Sequence, residues 1–402
     1  MALVPMETAL QRLLEDVGPL GGESVPLNDA YDRVLSESIV ALRTQPPFNA
    51  SAMDGYAMRG ADAHITGSEL AVIGEVAAGS MFSGSVEAGQ CVRIFTGAPL
   101  PAGTDTVVIQ ENVDRPAADD VIRLREPTAA GRNVRRAGLD FTIGDLLVEK
   151  GHLMRASALS LAASANHARL TVVRRPLVAI IATGDELRLP GSELGPGQII
   201  SSNSYGIAAA ARAVGADVID LGIAPDREDA ISALVKQAVA AGANVIVTSG
   251  GASVGDHDLV HKVLTREGMT LDFWRIAMRP GKPLMFGRMD NIRCLGLPGN
   301  PVASLVCSQL FLKPLLARLG GRPFRQDIRT AMLGAPVSAN DHRQDFVRAA
   351  IEERDGQLIA TPFGVQDSSM LRTMAASGGL VIRAPFQPAS EIGDPCQLMM
   401  IG

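Results

Sequence analysis

The sequence predicts a multidomain protein of the α/β plus β class, built around a doubly wound, largely parallel sheet. Three observations predict it. Between residues 176 and 321, strand-like runs (LVAIIATG, DVIDLGIA, NVIVTSGG, RCLGLPG) alternate with helical patterns over 204–214, 227–241 and 301–319. Those runs are apolar along their length instead of alternating, as in strands covered on both faces. On either side the texture changes to short apolar runs broken by Gly, Pro and Asp, which reads as β-rich structure. A chain of 402 residues has room for two to four domains.

Taken in order, the chain opens with a helix over 5–17, where Leu10, Leu13, Leu14 and Val17 recur at helical spacing. LNDAYDRVLSESIVAL, 27–42, reads as a second amphipathic helix passing into an extended piece, and QPPF ends it. From 51 to about 140, LAVIGEV, CVRIFTG, DTVVIQENV and VIRLRE predict a small β-rich domain. GLDFTIGDLLVEKG then links to an Ala-rich helix near 157–166. After the α/β region, 324–402 reads as a small β-barrel or sandwich.

Composition excludes several functions. Hydrophobic residues at 47% and charged residues at 20% rule out wholesale disorder. With Lys and Arg at 37 against 43 Asp and Glu, the net charge of -6 speaks against a nucleic-acid binder or a polybasic membrane anchor. Trp274 is the single tryptophan and aromatics are 4%, so a base-stacking platform is not expected. Cys91, Cys294, Cys307 and Cys396 form no CxxC pair, which predicts buried thiols in a reducing compartment. No signal-peptide pattern opens the chain. No stretch approaches the roughly 20 uninterrupted apolar residues of a membrane span. The most apolar candidate, 153–170, carries Arg155, Asn166 and Arg169. The expected location is cytoplasmic.

Ligands of open parallel sheets bind beyond the carboxyl ends of the strands. Four predicted strands end there in polar, Gly-rich loops: IIATGDEL, GIAPD, VTSGGASVGDHD and LGLPGNP. Glycines let such a backbone approach a ligand, and the exposed N–H groups attract anions. The loops present Thr183, Gly184, Ser249, Gly250, Gly251, Ser253, Gly255, Pro298, Gly299 and Asn300. Asp185, Glu186, Asp226, Asp256 and Asp258 stand on the same edge, an arrangement that suits a bridging hard cation such as Mg²⁺. The 248–258 loop lacks a GKS or GKT ending and TGDEL lacks GxGxxG, so neither a P-loop nor a dinucleotide fingerprint is present. HDLVH, with His257 and His261, shares the spacing of HExxH, but Asp258 replaces the glutamate base and a solvated helical turn is the plainer account. MRPGKP places Arg279 and Lys282 around a rigid turn suited to an oxyanion. SAMDGYAM places Asp54 on a turn.

PPFNASAMDGYA, IFTGAPLPAGTDTVV, GRNVRRAGLD, IIATGDEL, TSGGASVGDHD, MRPGKP and LGLPGNP together resemble the MoeA family, whose relatives include the gephyrin E-domain. They run through most of the chain in the family's order. The resemblance implies an elongated homodimer of four-domain subunits. The discontinuous helical linker domain would be 1–50 with 141–175, and the β-rich domain 51–140. A three-layer α/β/α molybdopterin-binding domain would be 176–326, and a C-terminal β-barrel 327–402. It implies the last step of molybdenum cofactor assembly: molybdate is joined to adenylylated molybdopterin and AMP leaves with help from Mg²⁺. The resemblance also implies the molybdopterin adenylyltransferase as a candidate partner. Carried over residue by residue, the site comprises Asp54, Thr96 and Asp140 from the β-rich half. Glu186, Asp226, Asp256 and Asp258 supply carboxylates, with Glu186, Asp226 and Asp258 foremost for the metal. Arg279 and Lys282 supply charge, and Arg348 and Ser369 lie near the molybdate. Each cleft would combine the α/β domain of one subunit with the β-rich domain of the other. Position 279 is Arg where many relatives have Lys, and QDSSM stands where a Gly often precedes the Ser. A carrier without turnover would not require so many carboxylates, and a scaffold like gephyrin is expected to carry its additional N-terminal domain and long linker.

Overall fold

The computed structural model describes residues 3–115, 120–250 and 259–401. The chain divides into two compact units, Met1–Glu23 with Asp32–Ser36 and Val172–Gly402, and Ser24–Tyr31 with Glu37–Thr171.

The first unit opens with helix α1 (Met6–Leu14). Its main sheet comprises β1 (Leu177–Thr183), β2 (Asp217–Ala224), β3 (Val245–Ser249), β4 (Thr270–Phe273), β5 (Met285–Met289) and β6 (Ile292–Leu297). The order is β2-β1-β3-β6-β5-β4. The pairs from β2 to β6 are parallel, and β5 and β4 add on antiparallel. Both faces of the central strands β1, β3 and β6 are covered, which is why they read as largely apolar runs, whereas the edge strand β2 is half-buried and keeps Asp217 and Asp220 exposed. Val178 and Ile180 join one core with α1, α2 (Asn203–Arg212) and the helical stretch 301–319. Ala179 and Ile181 join the opposite core with α3 (Glu228–Ala240) and α4 (Leu259–Arg266). This is the three-layer α/β/α arrangement. Each fully buried Val or Ile here contributes about 1.5–3 kcal/mol.

Helix 301–319 runs from Pro301–Cys307 through a π-turn, Ser308–Leu312, into Lys313–Leu319. Among the described residues it, and not 153–170, is the helix long and apolar enough to cross a membrane, and most of it is buried in the protein core.

The second amphipathic helix expected at 27–42 does not form. A single 3-10 turn, Leu27–Ala30, is followed by Asp32 at φ +59. The Asp32 carboxylate receives both Oδ hydrogen bonds from Arg322 at 2.8 Å. Arg33 donates to the Val173 carbonyl at 2.9 Å and pairs with Glu23. Those long-range side-chain bonds, together with a left-handed turn, override the helical periodicity.

At the C-terminus, β7 (Ile328–Leu333), β8 (Gln344–Arg354), β9 (Gln357–Pro362), β10 (Gly379–Arg383) and β11 (Pro395–Met400) close into a five-strand barrel. The ring runs β8-β9-β7-β11-β10 and returns to β8. Its interior is filled by Leu333, Ala349, Ala360, Val381 and Leu398. The barrel and the α/β layers touch at the Met278–Arg279 strand, which pairs with Gln344 and Asp345.

The second unit holds a six-stranded sheet over Thr106–Ile109, Gly55–Met58, Gln90–Ile94, Glu69–Val76, Val121–Leu124 and Val113–Asp114, in that order. The Ala-rich helix spans Ala156–Ser164. Alternate residues feed two apolar clusters, Tyr56 with Met58 and Leu70, and Ala57 with Val92 and Val107. All four cysteines are free and buried, and burial pushes the Cys91 and Cys294 thiols up to about 12.

Candidate active site

The carboxyl ends of β1, β2, β3 and β6 open onto one cavity of about 960 Å³. Thr183 closes β1, buried, with its hydroxyl unpartnered among the described residues. Gly184 follows at φ +149, where an added Cβ would lie 2.5 Å from a Glu186 carboxylate oxygen. Glycine at 184 therefore lets Glu186 fold back over the end of its own strand. From the neighbouring β2, the Asp226 N–H donates to Asp185 Oδ1 at 3.1 Å, which draws Asp185, Glu186 and Asp226 to one rim. Burial and the charges of Asp185 and Glu186 hold the Asp226 carboxyl above its ordinary range, against an opposing hydrogen bond with Asp185.

Gly250 ends β3 at φ +96, and an added Cβ would sit 2.4 Å from the Thr183 carbonyl oxygen. From β6 the chain turns through Pro298 and Gly299 to Asn300, which precedes the helix beginning at Pro301. Asn300 Nδ2 donates to Ser368 Oγ at 2.8 Å, and the Val302 N–H to the Ser368 carbonyl at 3.0 Å. The barrel loop is thereby seated at the cavity, where Ser369 lines it. The Ser369 N–H and Oγ–H donate to Asp367 Oδ1 at 2.8 and 2.5 Å. These bonds and the charge of Arg348 hold the Asp367 carboxyl below its ordinary range.

Of the residues expected from sequence, the cavity wall gathers Thr183, Gly184, Glu186, Asp226, Ser249, Gly250, Pro298, Gly299, Asn300 and Ser369. Gly251, Ser253, Gly255, Asp256 and Asp258, with His257, lie outside the described residues. His261 packs its ring against Trp274 at 4.7 Å. Arg279, Lys282 and Arg348 are not in the described lining. Arg279 pairs with the buried carboxylate of Asp345. Lys282 is exposed, and its neighbour Pro283 reaches the wall. Arg348 is 1% exposed in the barrel wall, with Nε donating to Gln366 Oε1 at 3.2 Å and Nη1 unpartnered among the described residues. In the second unit, Thr96 N–H and Oγ1–H both donate to Asp54 Oδ1 at 2.8 Å, holding that carboxyl below its ordinary range. Asp140 is exposed, its N–H donating to the Gln45 carbonyl at 3.0 Å.

Sequence reasoning passed over Ser201, Ser202 and Asn203, which line the cavity at the start of α2. The signal was available: SSN before a helical pattern is a helix-start signature. The apolar wall of Leu187, Ile199, Leu259 and Val260 carried none. Among the described residues, no three His, Cys, Asp or Glu side chains converge as a metal centre. Two of the four carboxylates expected for Mg²⁺ are outside them. The described wall nevertheless holds two carboxylates and no Lys or Arg.

This fold and this cavity define a doubly wound α/β protein whose ligand cavity lies at the strand ends of the sheet. Residues 4–166 match the profile described as MoeA N-terminal region (domain I and II). Residues 179–318 match a probable molybdopterin binding domain, and 330–399 the MoeA C-terminal region (domain IV). A molybdopterin molybdenumtransferase of Haemophilus influenzae is 34% identical over 389 residues, 94% of each chain. One of Bacillus subtilis is 32% identical over 406 residues, covering 99% of this chain and 94% of that one. A crystal structure of a molybdopterin biosynthesis MoeA protein from Pyrococcus horikosii superposes with a TM-score of 0.85 at 30% identity, over 99% of both chains. The chain belongs to the MoeA family.

Proposed function

We propose that this chain is a molybdopterin molybdenumtransferase acting in the last step of molybdenum cofactor assembly. It joins molybdate to adenylylated molybdopterin, with Mg²⁺-dependent release of AMP. The observation that carries the reading is the cavity itself: hydroxyl and glycine backbone groups at the strand ends, and Glu186 with Asp226 on one rim. Such a wall meets a polyanionic substrate productively only with a cation between them. Glu186 and Asp226 fit a hard cation, since they are oxygen donors with no Lys or Arg in the described wall to neutralise them. Asp256 and Asp258 are the further candidates. Bound there, Mg²⁺ would neutralise charge as the phosphoanhydride breaks and AMP leaves.

The residues divide the remaining work. Gly184, Gly250 and Gly299 admit the phosphates to the backbone, with Thr183, Ser249 and Asn300 as polar partners. Ser253 and the glycines of the 251–255 loop join them. Leu187, Ile199, Leu259 and Val260 offer an apolar wall for a flat heterocycle. Arg348, whose Nη1 is unpartnered among the described residues, and Ser369, once it gives up its bonds to Asp367, receive the molybdate end, with Arg279 and Lys282 adding positive charge. The enzyme acts as a homodimer in which Asp54, Thr96 and Asp140 of one subunit serve the cavity of the other. It receives substrate from the adenylyltransferase. Four buried free thiols support a reducing, cytoplasmic setting. The test is AMP release by the purified protein from adenylylated molybdopterin, titrated in molybdate and in Mg²⁺. Release that ignores both would overturn the reading.

A further inference from the structure

We infer that Asn203 is a positioning residue for the transferase reaction, holding two of the strand-end loops at the spacing the substrate needs. Asn203 is the first residue of α2 and lines the cavity. Its one amide nitrogen donates to Ser249 Oγ at 2.8 Å and to the Gly299 carbonyl at 2.8 Å. Ser249 is the last residue of β3, and Gly299 stands two residues beyond the end of β6. The two loops also approach closely without it, since an added Cβ on Gly299 would be 3.7 Å from the Gly250 Cα. The parallel ladder of β3 and β6 fixes their roots as far as Ser249 and Leu297. Beyond it, among the described hydrogen bonds, neither loop has a side chain donating to the other, so Asn203 is the side chain that ties Ser249 to Gly299. An accepting Ser249 oxygen also leaves its own proton to be given to a ligand. Asn203 thus determines both where the Ser249 hydroxyl stands and which way it donates.

The inference rests on the transferase reading. Asn203→Asp keeps the shape and removes both donors, placing a carboxylate against a carbonyl. It should weaken binding of adenylylated molybdopterin about tenfold or more. The molybdate concentration for half-maximal AMP release at saturating substrate should stay unchanged. The loss should shrink as pH is lowered, because the protonated carboxyl regains one donor, while wild type shows no such recovery. Asn203→Ala should show the loss at every pH, and should cost less in a Ser249→Ala background than in wild type. Melting temperatures on the same preparations report folding, and Asn203→Ser, which retains one donor, serves if the aspartate variant does not fold. If wild type neither binds nor turns over adenylylated molybdopterin, the transferase reading falls. If wild type does so and the variants match it, or lose substrate and molybdate dependence alike with no pH recovery, the positioning role alone is overturned.

Discussion

Asp226 carries its charge at an energetic disadvantage, because burial and the Asp185 and Glu186 carboxylates favour its protonated form. The folded chain therefore keeps a proton that the unfolded chain has already lost, from the ordinary aspartate range up to the raised value. Stability falls as pH rises through that window, and the penalty is complete above it. Asp226→Asn should raise the melting temperature at neutral pH without divalent cations and remove the fall in stability that Asp226 contributes across that window. Thermal melts across that range check both, and an unchanged slope would mean Asp226 is not the group responsible. Glu186→Gln should leave the fold intact yet raise the Mg²⁺ concentration needed for AMP release, because a neutral amide holds a hard cation less well. Superimposable Mg²⁺ titrations would remove Glu186 from the metal set. Arg348→Ala should raise the molybdate requirement and also lower the melting temperature, since it strips a buried partner from Gln366 and a neutralising charge from Asp367. An unshifted molybdate titration would leave Arg348 with its packing role only. The carboxylates were legible in the sequence because TGDEL and APD are local patterns at strand ends. The true positions of Arg279 and Arg348 were not, because Asp345 and Gln366 lie 66 and 18 residues away and nothing local announces them.

Among the elements, β1, β3 and β6 were legible because burial on both faces leaves a largely apolar run, and the half-buried edge strand β2 because it alternates with helical patterns; the polar ends of all four lead to the cavity. The antiparallel β4 and β5 were harder to read, because TLDF and MFGRM are short and their apolar pattern fits several states. The stretch 27–42 misled because helical spacing is a local signal, whereas the Asp32–Arg322 and Arg33–Val173 bonds are long-range. The strand-end glycines sort by what would meet a methyl group. At Gly250 the obstacle is the Thr183 backbone carbonyl, which cannot swing aside, whereas at Gly184 it is the flexible end of Glu186. Both also hold positive φ, worth about 1–3 kcal/mol of strain for another residue. Gly250→Ala should therefore cost the greater stability. Gly184→Ala should act mainly on turnover, by displacing Glu186, and raise the Mg²⁺ requirement as Glu186→Gln does. Chemical denaturation and Mg²⁺ titrations of the two variants decide it, and the reverse order of stabilities would contradict the geometry.

At the scale of the whole molecule the question is whether one chain or two complete each active site. Asp54 is held ready by two hydrogen bonds from Thr96, on a sheet whose compact unit is separate from that of Glu186. Those bonds tie the half-buried Asp54 turn to the turn that carries Thr96 and fix the carboxylate in one orientation. If each site of a symmetric dimer takes Asp54 from one subunit and Glu186 from the other, two variants that are each inactive at a Mg²⁺ concentration too low for Glu186→Gln can repair one another. Asp54→Asn homodimers lack the residue at both sites, and so do Glu186→Gln homodimers. In a mixed dimer one site inherits both defects and the other inherits none. Co-expression in equal amounts, with random assortment, should place about half the chains in mixed dimers and restore about a quarter of wild-type AMP release. If both residues act within one chain, every site in the mixture carries one defect and nothing is restored. With the site shared, separately tagged chains purified through both tags in turn should yield about half of wild-type activity per dimer. A mixed dimer isolated in this way and found inactive would refute the shared site and leave Asp54 to serve the cavity of its own chain.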